Sequence, residues 1–385
     1  MSLTVVRRET RLRWLAVAAA VAVLVSLPQL LRILPVDAAT VPVRTLVARM
    51  SASAGVPYRG YAVSTGRAGI PSLPQLDAVT GMFDGDTSLR IWYASSARWR
   101  VDTIDLAGER DTYHSATEET VWDYGQNQMI TVLGKVELRL PRGSDLAPPD
   151  LARRVLAAAR PTGPRAPAAA TYTALPDRRV AGIAAAGVRV TPTDRETTVG
   201  HIDIWAEPRT GLPLEVDIAA RGVATPVMVS RMLDLDLGTP PAATTTRPKT
   251  PPGAGTTVTT NPDIGRALRN LGLGDLPDTL GGQDRTDAGV GILAGIGAYG
   301  TSFRQIVAVS VPARLGSSAY GAAVGVGGVE HQFDDGESVI VTTPLVSVMI
   351  VESHLSGTYI VAGLVGADVL VPVARDLIAF SRSDR

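Results

Sequence analysis

The sequence predicts an α+β protein with an N-terminal transmembrane helix, a large antiparallel sheet domain and a small C-terminal α+β domain. Three observations predict it. The stretch from Trp14 to Leu31 carries no charge, short segments of alternating polarity fill residues 58–237, and a Thr/Pro-rich stretch separates them from further strands and helices. A chain of 385 residues has room for two globular domains beyond a membrane segment.

The uncharged stretch from Trp14 to Leu31 would rise about 27 Å as a helix, close to the thickness of a bilayer's hydrocarbon core. Four arginines precede it: Arg7, Arg8, Arg11 and Arg13. By the positive-inside rule, residues 1–35 form a cytoplasmic end and signal anchor, and the rest of the chain is extracytoplasmic. Small residues around Ala38 also fit a cleavage site, so a single-pass cell-membrane protein and a secreted protein cut after Ala38 both stay open.

The composition excludes nucleic acid as a partner and all stabilisation or anchoring that depends on cysteine. The 37 basic and 37 acidic side chains cancel, so the electrostatic footprint that nucleic-acid binding requires is missing. The chain has no cysteine, which excludes disulfides, thiolate metal sites and lipid attachment at a cysteine. Stability must therefore come from ordinary apolar cores.

The first predicted domain, residues 40–238, begins with an amphipathic helix near 43–53 and continues as an antiparallel meander. Turn-forming residues bound its strands, which we place at 58–65, 88–94, 98–104, 109–114, 120–124 and 128–133. Asp150 caps a second amphipathic helix. The later strands are placed at 178–190, 199–206, 212–220 and 226–237.

Residues 239–262 lack aromatic and almost all large aliphatic side chains, so they predict an extended interdomain linker. The domain that follows, 263–385, shows helical and strand patterns in alternation. Helices are expected at 264–271 and 317–324, and strands at 303–311, 329–333, 337–351 with a break near Thr343-Pro344, and 358–362. The last helix has an apolar face formed by Leu370, Val373, Ala374, Leu377 and Ile378.

Two parts of the sequence resemble a known superfamily. The hairpin WAEPRTGLPLEV at 205–216 resembles one found in the LolA-like superfamily of lipoprotein carriers and RseB/MucB-type sigma-factor regulators, and WYASSARWRVDTIDLAGERDTY at 92–113 is similar to strands of actinobacterial members. The resemblance covers about residues 43–238. More weakly, YGTSFRQIVAVSVP and GTYIVAGLVGADVLVPVARDLI resemble the small second domain of RseB-type proteins.

The resemblance implies a LolA-like antiparallel half-barrel whose concave face is covered by helices and encloses an apolar cavity for acyl chains. Together with the predicted anchor, it implies an extracytoplasmic, membrane-anchored binding protein for lipid, lipoprotein or envelope protein that regulates an anti-sigma factor in the membrane. A lipid or lipoprotein carrier is the alternative. The absent lipobox cysteine and the predicted anchor both depart from a freely shuttling carrier.

Strand alternation places Trp99 and Val101 on one face, opposite Arg98, Arg100 and Asp102. With the resemblance, this predicts a ligand cavity lined by Ile91, Trp99, Val101, Trp122, Ile130, Ile204 and Val216. The alternative is that these side chains fill an ordinary sheet core.

The sequence predicts no catalytic, cofactor or metal site. Its four histidines show no paired metal-ligand spacing, and it has no Gly-x-Ser-x-Gly motif. The glycines at 295, 297 and 300 precede a strand instead of joining a strand to a helix, and Asp84–Ser88 lacks the later glutamate of a calcium loop, which favours a solvated turn. A secreted hydrolase with an unrecognised site and a structural envelope protein remain as alternatives.

Overall fold

The computed structural model describes residues 39–69, 83–105, 108–134, 142–161, 166–260, 273–286, 295–355 and 357–383. The predicted anchor at 1–35 and the predicted helix at 264–271 lie outside these residues. Within the described ranges, no helix combines the length and apolar character needed to span a membrane.

Eleven strands form an antiparallel, continuous sheet in the first part of the chain. They are β1 (Tyr58–Arg67), β2 (Asp84–Ser95), β3 (Arg98–Asp105), β4 (Gly108–His114), β5 (Glu118–Asp123), β6 (Gln128–Leu133), β7 (Ala170–Val180), β8 (Ile183–Pro192), β9 (Val199–Ala206), β10 (Pro213–Ala220) and β11 (Met228–Asp236). The order is β6-β5-β4-β3-β2-β1-β11-β10-β9-β8-β7. The first and last strands of the series meet in the middle of the sheet.

Two helices cover the inner face of this first sheet. Helix α1 (Val43–Ala52) follows Pro42 and buries Leu46 and Met50, one turn apart. Helix α2 (Pro148–Ala158) starts two residues before the predicted cap Asp150, because prolines fit the first turn, where backbone N–H groups have no helical partner. Both helices pack on the inner-face side chains in one apolar core.

Strands β7 and β8 correct the prediction of a single strand over 178–190. Ala181 and Gly182 both have positive φ, 47° and 78°, as a two-residue hairpin turn of the mirror-image type requires. Alanine rarely adopts this conformation, so the sequence signal for the turn is weak. Asp84–Ser88, expected as a solvated turn, instead forms the start of β2.

Strand β7 is one edge of the sheet, and it is irregular. Its register against β8 shifts between Leu175 and Arg178, around Pro176. The indole Nε1 of Trp205 donates to the Pro176 carbonyl at 3.0 Å, and the Arg178 guanidinium lies 3.7 Å from the Trp205 ring centroid. These contacts fix the bulge in place.

The Thr/Pro segment, residues 239–260, lies against the opposite edge. It contains a short helix, α3 (Ala242–Thr245), and a strand, β12 (Gly255–Thr260), which pairs in parallel with β6. Arg247 lies 3.5 Å from Glu118, and the Thr250 hydroxyl contacts the Met129 sulfur at 3.5 Å. The expected linker is therefore attached to the first sheet along β6, while the domain boundaries at 238 and 262 stay a prediction.

The second part of the chain, residues 273–383, forms an eight-stranded antiparallel sheet between two helices. Its elements are β13 (Thr279–Leu280), β14 (Gln283–Thr286), β15 (Ile296–Tyr299), β16 (Ile306–Val311), α4 (Ala313–Gly325), β17 (Val329–Phe333), β18 (Gly336–Thr342), β19 (Ser347–Ser353), β20 (Thr358–Gly363) and α5 (Ala367–Ser383). The strand order is β13-β14-β15-β16-β20-β19-β18-β17. The predicted break near Thr343-Pro344 is confirmed, as is the buried face of the last helix.

The two sheets meet where the chain enters β9. Thr197 forms an isolated antiparallel bridge with Val365, and the Thr198 hydroxyl donates to the Leu345 carbonyl at 2.5 Å. Arg304 pairs with Glu196 at 2.5 Å. These contacts bring one end of the second sheet against the inner face of the first.

Candidate functional site

An apolar cavity of about 360 Å³ lies at this junction. The inner face of the first sheet contributes Ile202, Ile218 and Met228, which lie on neighbouring strands. Helix α2 contributes Leu151 and Val155. Side chains alternate between the two faces along β9 and β10, so Ile202 and Ile218 point inward. Helix α2 packs on this face and forms another wall of the cavity.

The remaining wall belongs to the second part of the chain. Phe303, Leu345, Val346 and Leu364 line it from the loop before β16, the turn before β19 and the end of β20. Phe303 and Leu345 are almost fully buried. The cavity is thus completed by residues that lie far apart in sequence.

Charged side chains form the polar part of the wall. Arg154, whose side chain is 61% exposed, pairs with Asp145 at 2.9 Å. Arg142 donates to both carboxylate oxygens of Glu119, each at 2.5 Å. The cavity thus has an apolar interior and guanidinium groups in its wall. An anionic group can contact the exposed one, that of Arg154.

Four of the predicted cavity residues lie in the packed core on the inner face. Ile91 opposes Val101, and Val216 opposes Ile204, so each pair shares a face, and all four are buried. Ile202 and Ile218, which line the cavity, oppose each other one pair further along the ladder: Ile202 comes two positions before Ile204, and Ile218 comes two positions after Val216. On β9 and β10, the predicted residues and the cavity-lining residues thus share the inner face but occupy different positions.

The other three predicted cavity residues lie apart from these four and from one another. Trp99 lies at the margin of the core and stacks on His114 with ring centroids 4.9 Å apart. Ile130 shares the inner face through Val121 and is half-buried. Trp122 opposes Met129 and lies on the outer face. None of the seven residues lines the 360 Å³ cavity, so their role in ligand binding stays a prediction.

The outer face holds a charged cluster that sequence analysis missed. The Arg100 guanidinium donates to Asp102 at 2.5 Å and to Asp111 at 2.8 Å, and it lies within 5 Å of the ring centroids of Trp92 and Tyr113. Both aspartates are buried. The signal was the alternation of charges along 98–111, which sends them to one face, but only the register of β3 and β4 brings them together.

Burial raises the pKa of Asp102 to about 6, and the nearby Asp111 acts in the same direction while the hydrogen bond from Arg100 opposes it. Candidate ligand atoms of Asp102, Glu109 and Asp111 lie within 4.8 Å of one another, a spacing that can hold a metal ion. Arg90 and Arg100 bond to these carboxylates. The guanidinium groups thus supply the positive charge at this position, which makes the cluster structural.

The hairpin that carries the family resemblance is also structural. The Glu207 carboxylate accepts from the backbone N–H and the hydroxyl of Thr210, both at 2.6 Å. These bonds lower the pKa of Glu207 although burial opposes them. Gly211 has φ +72°, and a Cβ there would lie 2.4 Å from backbone atoms of Arg49 in α1. The motif thus holds a tight turn against α1.

No protein-family profile and no curated protein matches this chain. Among solved structures, it is similar to Pseudomonas aeruginosa MucB in complex with MucA, at 15% identity over 86% of this chain and 95% of that chain, with a TM-score of 0.45. A second structure of MucB, in complex with MucA(peri), gives 15% identity, coverages of 86% and 97%, and a TM-score of 0.44. A LolA-superfamily protein from Nitrosomonas europaea covers 54% of this chain, with 99% of its own length matched, at 11% identity and a TM-score of 0.25.

These neighbours belong to the two groups that the sequence resembles.

Proposed function

We propose that this chain is an extracytoplasmic binding protein that holds the acyl chain of a lipid or lipoprotein in the cavity between its two sheets. The apolar cavity of about 360 Å³ is the observation that carries this proposal. Small-molecule sites have volumes of about 300–1,000 Å³ and apolar walls. Hydrocarbon gains about 25 cal/mol for each Å² that it removes from water, so such walls favour an acyl chain over a polar ligand.

The charged wall suits the other end of such a ligand. Arg154 is the more exposed of the two arginines, with 61% of its side chain exposed against 21% for Arg142, and its partner Asp145 also lines the cavity. An anionic headgroup can exchange with Asp145 as the partner of Arg154. Arg142 is held by two hydrogen bonds to Glu119 and keeps its place.

Occupancy of this cavity is suited to regulation because both parts of the chain line it. A ligand that enters between them changes the contacts that hold the second sheet, and a partner protein can read that change. The predicted partner is an anti-sigma factor in the membrane. MucB, to which the chain is similar, has been solved in complex with MucA, which supports a protein partner of that kind.

Native mass spectrometry of the full-length protein, purified in detergent and then freed of it, tests the proposal. We expect co-purified lipid. Ile218→Trp should fill the cavity and remove the lipid adduct, whereas Leu233→Trp, at an exposed position, should keep it. A protein that carries no lipid and takes up no added fatty acid would contradict the proposal.

Two further properties belong to the same proposal. A reporter enzyme fused after Arg385 should be active only outside the cytoplasm, and the mature protein should retain Trp14. The carrier alternative predicts instead that bound lipid passes to acceptor membranes. Activity on acyl, phosphoryl or glycosyl substrates would favour the hydrolase alternative over a binding protein.

A further inference from the structure

Phe303 belongs by sequence to the second sheet, but it is buried in the core of the first. Its side chain is 5% exposed and packs among the residues that α1, α2 and the inner face share. It also lines the cavity, together with Ile202 and Ile218. The side chain therefore occupies space that is continuous with the proposed ligand site.

The loop that carries Phe303 is held at its two ends, where the Gly300 N–H donates to the Asp284 carbonyl at 3.2 Å and the Arg304 N–H donates to the Thr301 carbonyl at 3.3 Å. It joins β15 to β16, and its backbone is left-handed at Gly300, with φ +76°, and at Ser302, with φ +60°. A serine rarely adopts that conformation unless its surroundings impose it. Arg304 ties the loop to the first sheet through Glu196, at a half-exposed position. The loop thus presents one apolar side chain from an unfavourable backbone conformation.

We propose that Phe303 is a plug that occupies the inner end of the cavity until a long acyl chain displaces it. This inference rests on the proposed function. A phenyl ring and a hydrocarbon chain fit the same apolar walls, so they compete for one volume. A short chain fits beside Phe303, whereas a long chain must expel it. Phe303 then sets the preference for chain length, and its displacement loosens the contact between the two sheets.

The test compares Phe303→Ala, Phe303→Leu and Phe333→Ala in the full-length protein, held in amphipol. Phe333 is the matched control, because it is a partly buried phenylalanine of the second sheet that lies outside the cavity between the sheets. Octanoic and palmitic acid are measured as competitors of a fluorescent fatty acid. Thermal unfolding shows which variants fold.

We expect Phe303→Ala to bind palmitic acid about tenfold more tightly than the wild type, which corresponds to about 1.4 kcal/mol. The affinity for octanoic acid should change by less than about twofold. Phe303→Leu should give an intermediate gain and supplies the answer if the alanine variant does not fold. Phe333→Ala should bind both acids as the wild type does.

Two results would overturn the plug, and they differ. If the wild type binds both acids and the Phe303 variants bind palmitic acid equally or more weakly, the plug is wrong and the proposed function stands. If no variant and no wild type binds either acid, the proposed function fails and the plug with it.

Discussion

The two faces of the first sheet are built on the same strands but are stabilised in different ways. The inner face is apolar and is covered by α1 and α2, with Ile204 and Val216 fully buried. The outer face carries alternating charges, and Arg100 is bonded to the buried Asp102 and Asp111. The Thr/Pro segment lies over part of that face, at Glu118 and Met129.

The difference shows how one sheet can bury an apolar face and a face that mixes charged and aromatic side chains. Non-directional packing holds the inner face and tolerates a cavity at its margin. Directional ion pairs hold the outer face, where each buried carboxylate needs its guanidinium. A ligand site is therefore compatible with the packing of the inner face but not with the ion pairs of the outer face.

The largest loss of stability is expected from truncation on the inner face. Ile204→Ala should lower the free energy of unfolding by about 2–5 kcal/mol, because a fully buried side chain leaves a cavity that the neighbours fill only in part. Urea unfolding measures it, with the exposed Val258→Ala as control. Equal values for the two variants would show that the inner face is loosely packed.

On the outer face, Arg100→Met should lower the free energy of unfolding by about 3 kcal/mol at neutral pH, because the two buried aspartates Asp102 and Asp111 lose their shared cation. The matched variant is Arg59→Met, whose ion pair with Asp236 is exposed and should contribute less than about 1 kcal/mol. The same urea series separates them. If both variants lost equally little, the charged cluster would be dispensable.

Asp102 gives the outer face its own pH dependence. Its pKa is about 6 in the folded protein against an ordinary 3.8, so folding favours the protonated form. The corresponding stability is complete below 3.8 and is lost as the pH rises through about 6. The stability advantage of wild type over Asp102→Asn should thus fall by about 1–2 kcal/mol from pH about 4 to about 7.

Urea midpoints across that range test the sign of the effect. Parallel curves for the two proteins would show that Asp102 keeps its ordinary pKa. An advantage that grows with pH would mean that Arg100 outweighs burial.

The smallest effect is expected from β12, the strand that the Thr/Pro segment adds at the edge of the first sheet. Thr257→Pro removes an N–H donor from β12. Because β12 has no buried side chain, the free energy of unfolding should change by less than about 1 kcal/mol. Hydrogen exchange at the β6 amides that face β12 should rise, while exchange in β9 stays constant. A global rise would show that the Thr/Pro segment belongs to the cooperative core.

Local patterns predicted much of the fold. Alternating charge and apolar residues placed β3 at 98–104, where the structure has Arg98–Asp105, and helical periodicity gave the buried face of α5. The glycine-rich stretch before 300 concealed β13, β14 and β15, because glycine carries no side chain to show a period.

The site depended on information that is not local. Phe303 was placed at the start of a strand, whereas it lies in a 3₁₀ turn before β16 and reaches across to the first sheet. Trp122 was grouped with Trp99 by residue type, but register places them on opposite faces. No pattern within one strand could reveal either, because both depend on which segments meet.

The bulge at Pro176 also bears on how copies of this protein behave at high concentration. Proline offers no N–H to an incoming strand, and the shifted register with Arg178 and Arg179 beside it spoils a straight template. The edge at β12 has neither device, and Val258 is 59% exposed there. If the first sheets of neighbouring molecules join into aggregates, growth should begin at the threonine-rich edge, so a charged residue at 258 should raise solubility more than a change at β7.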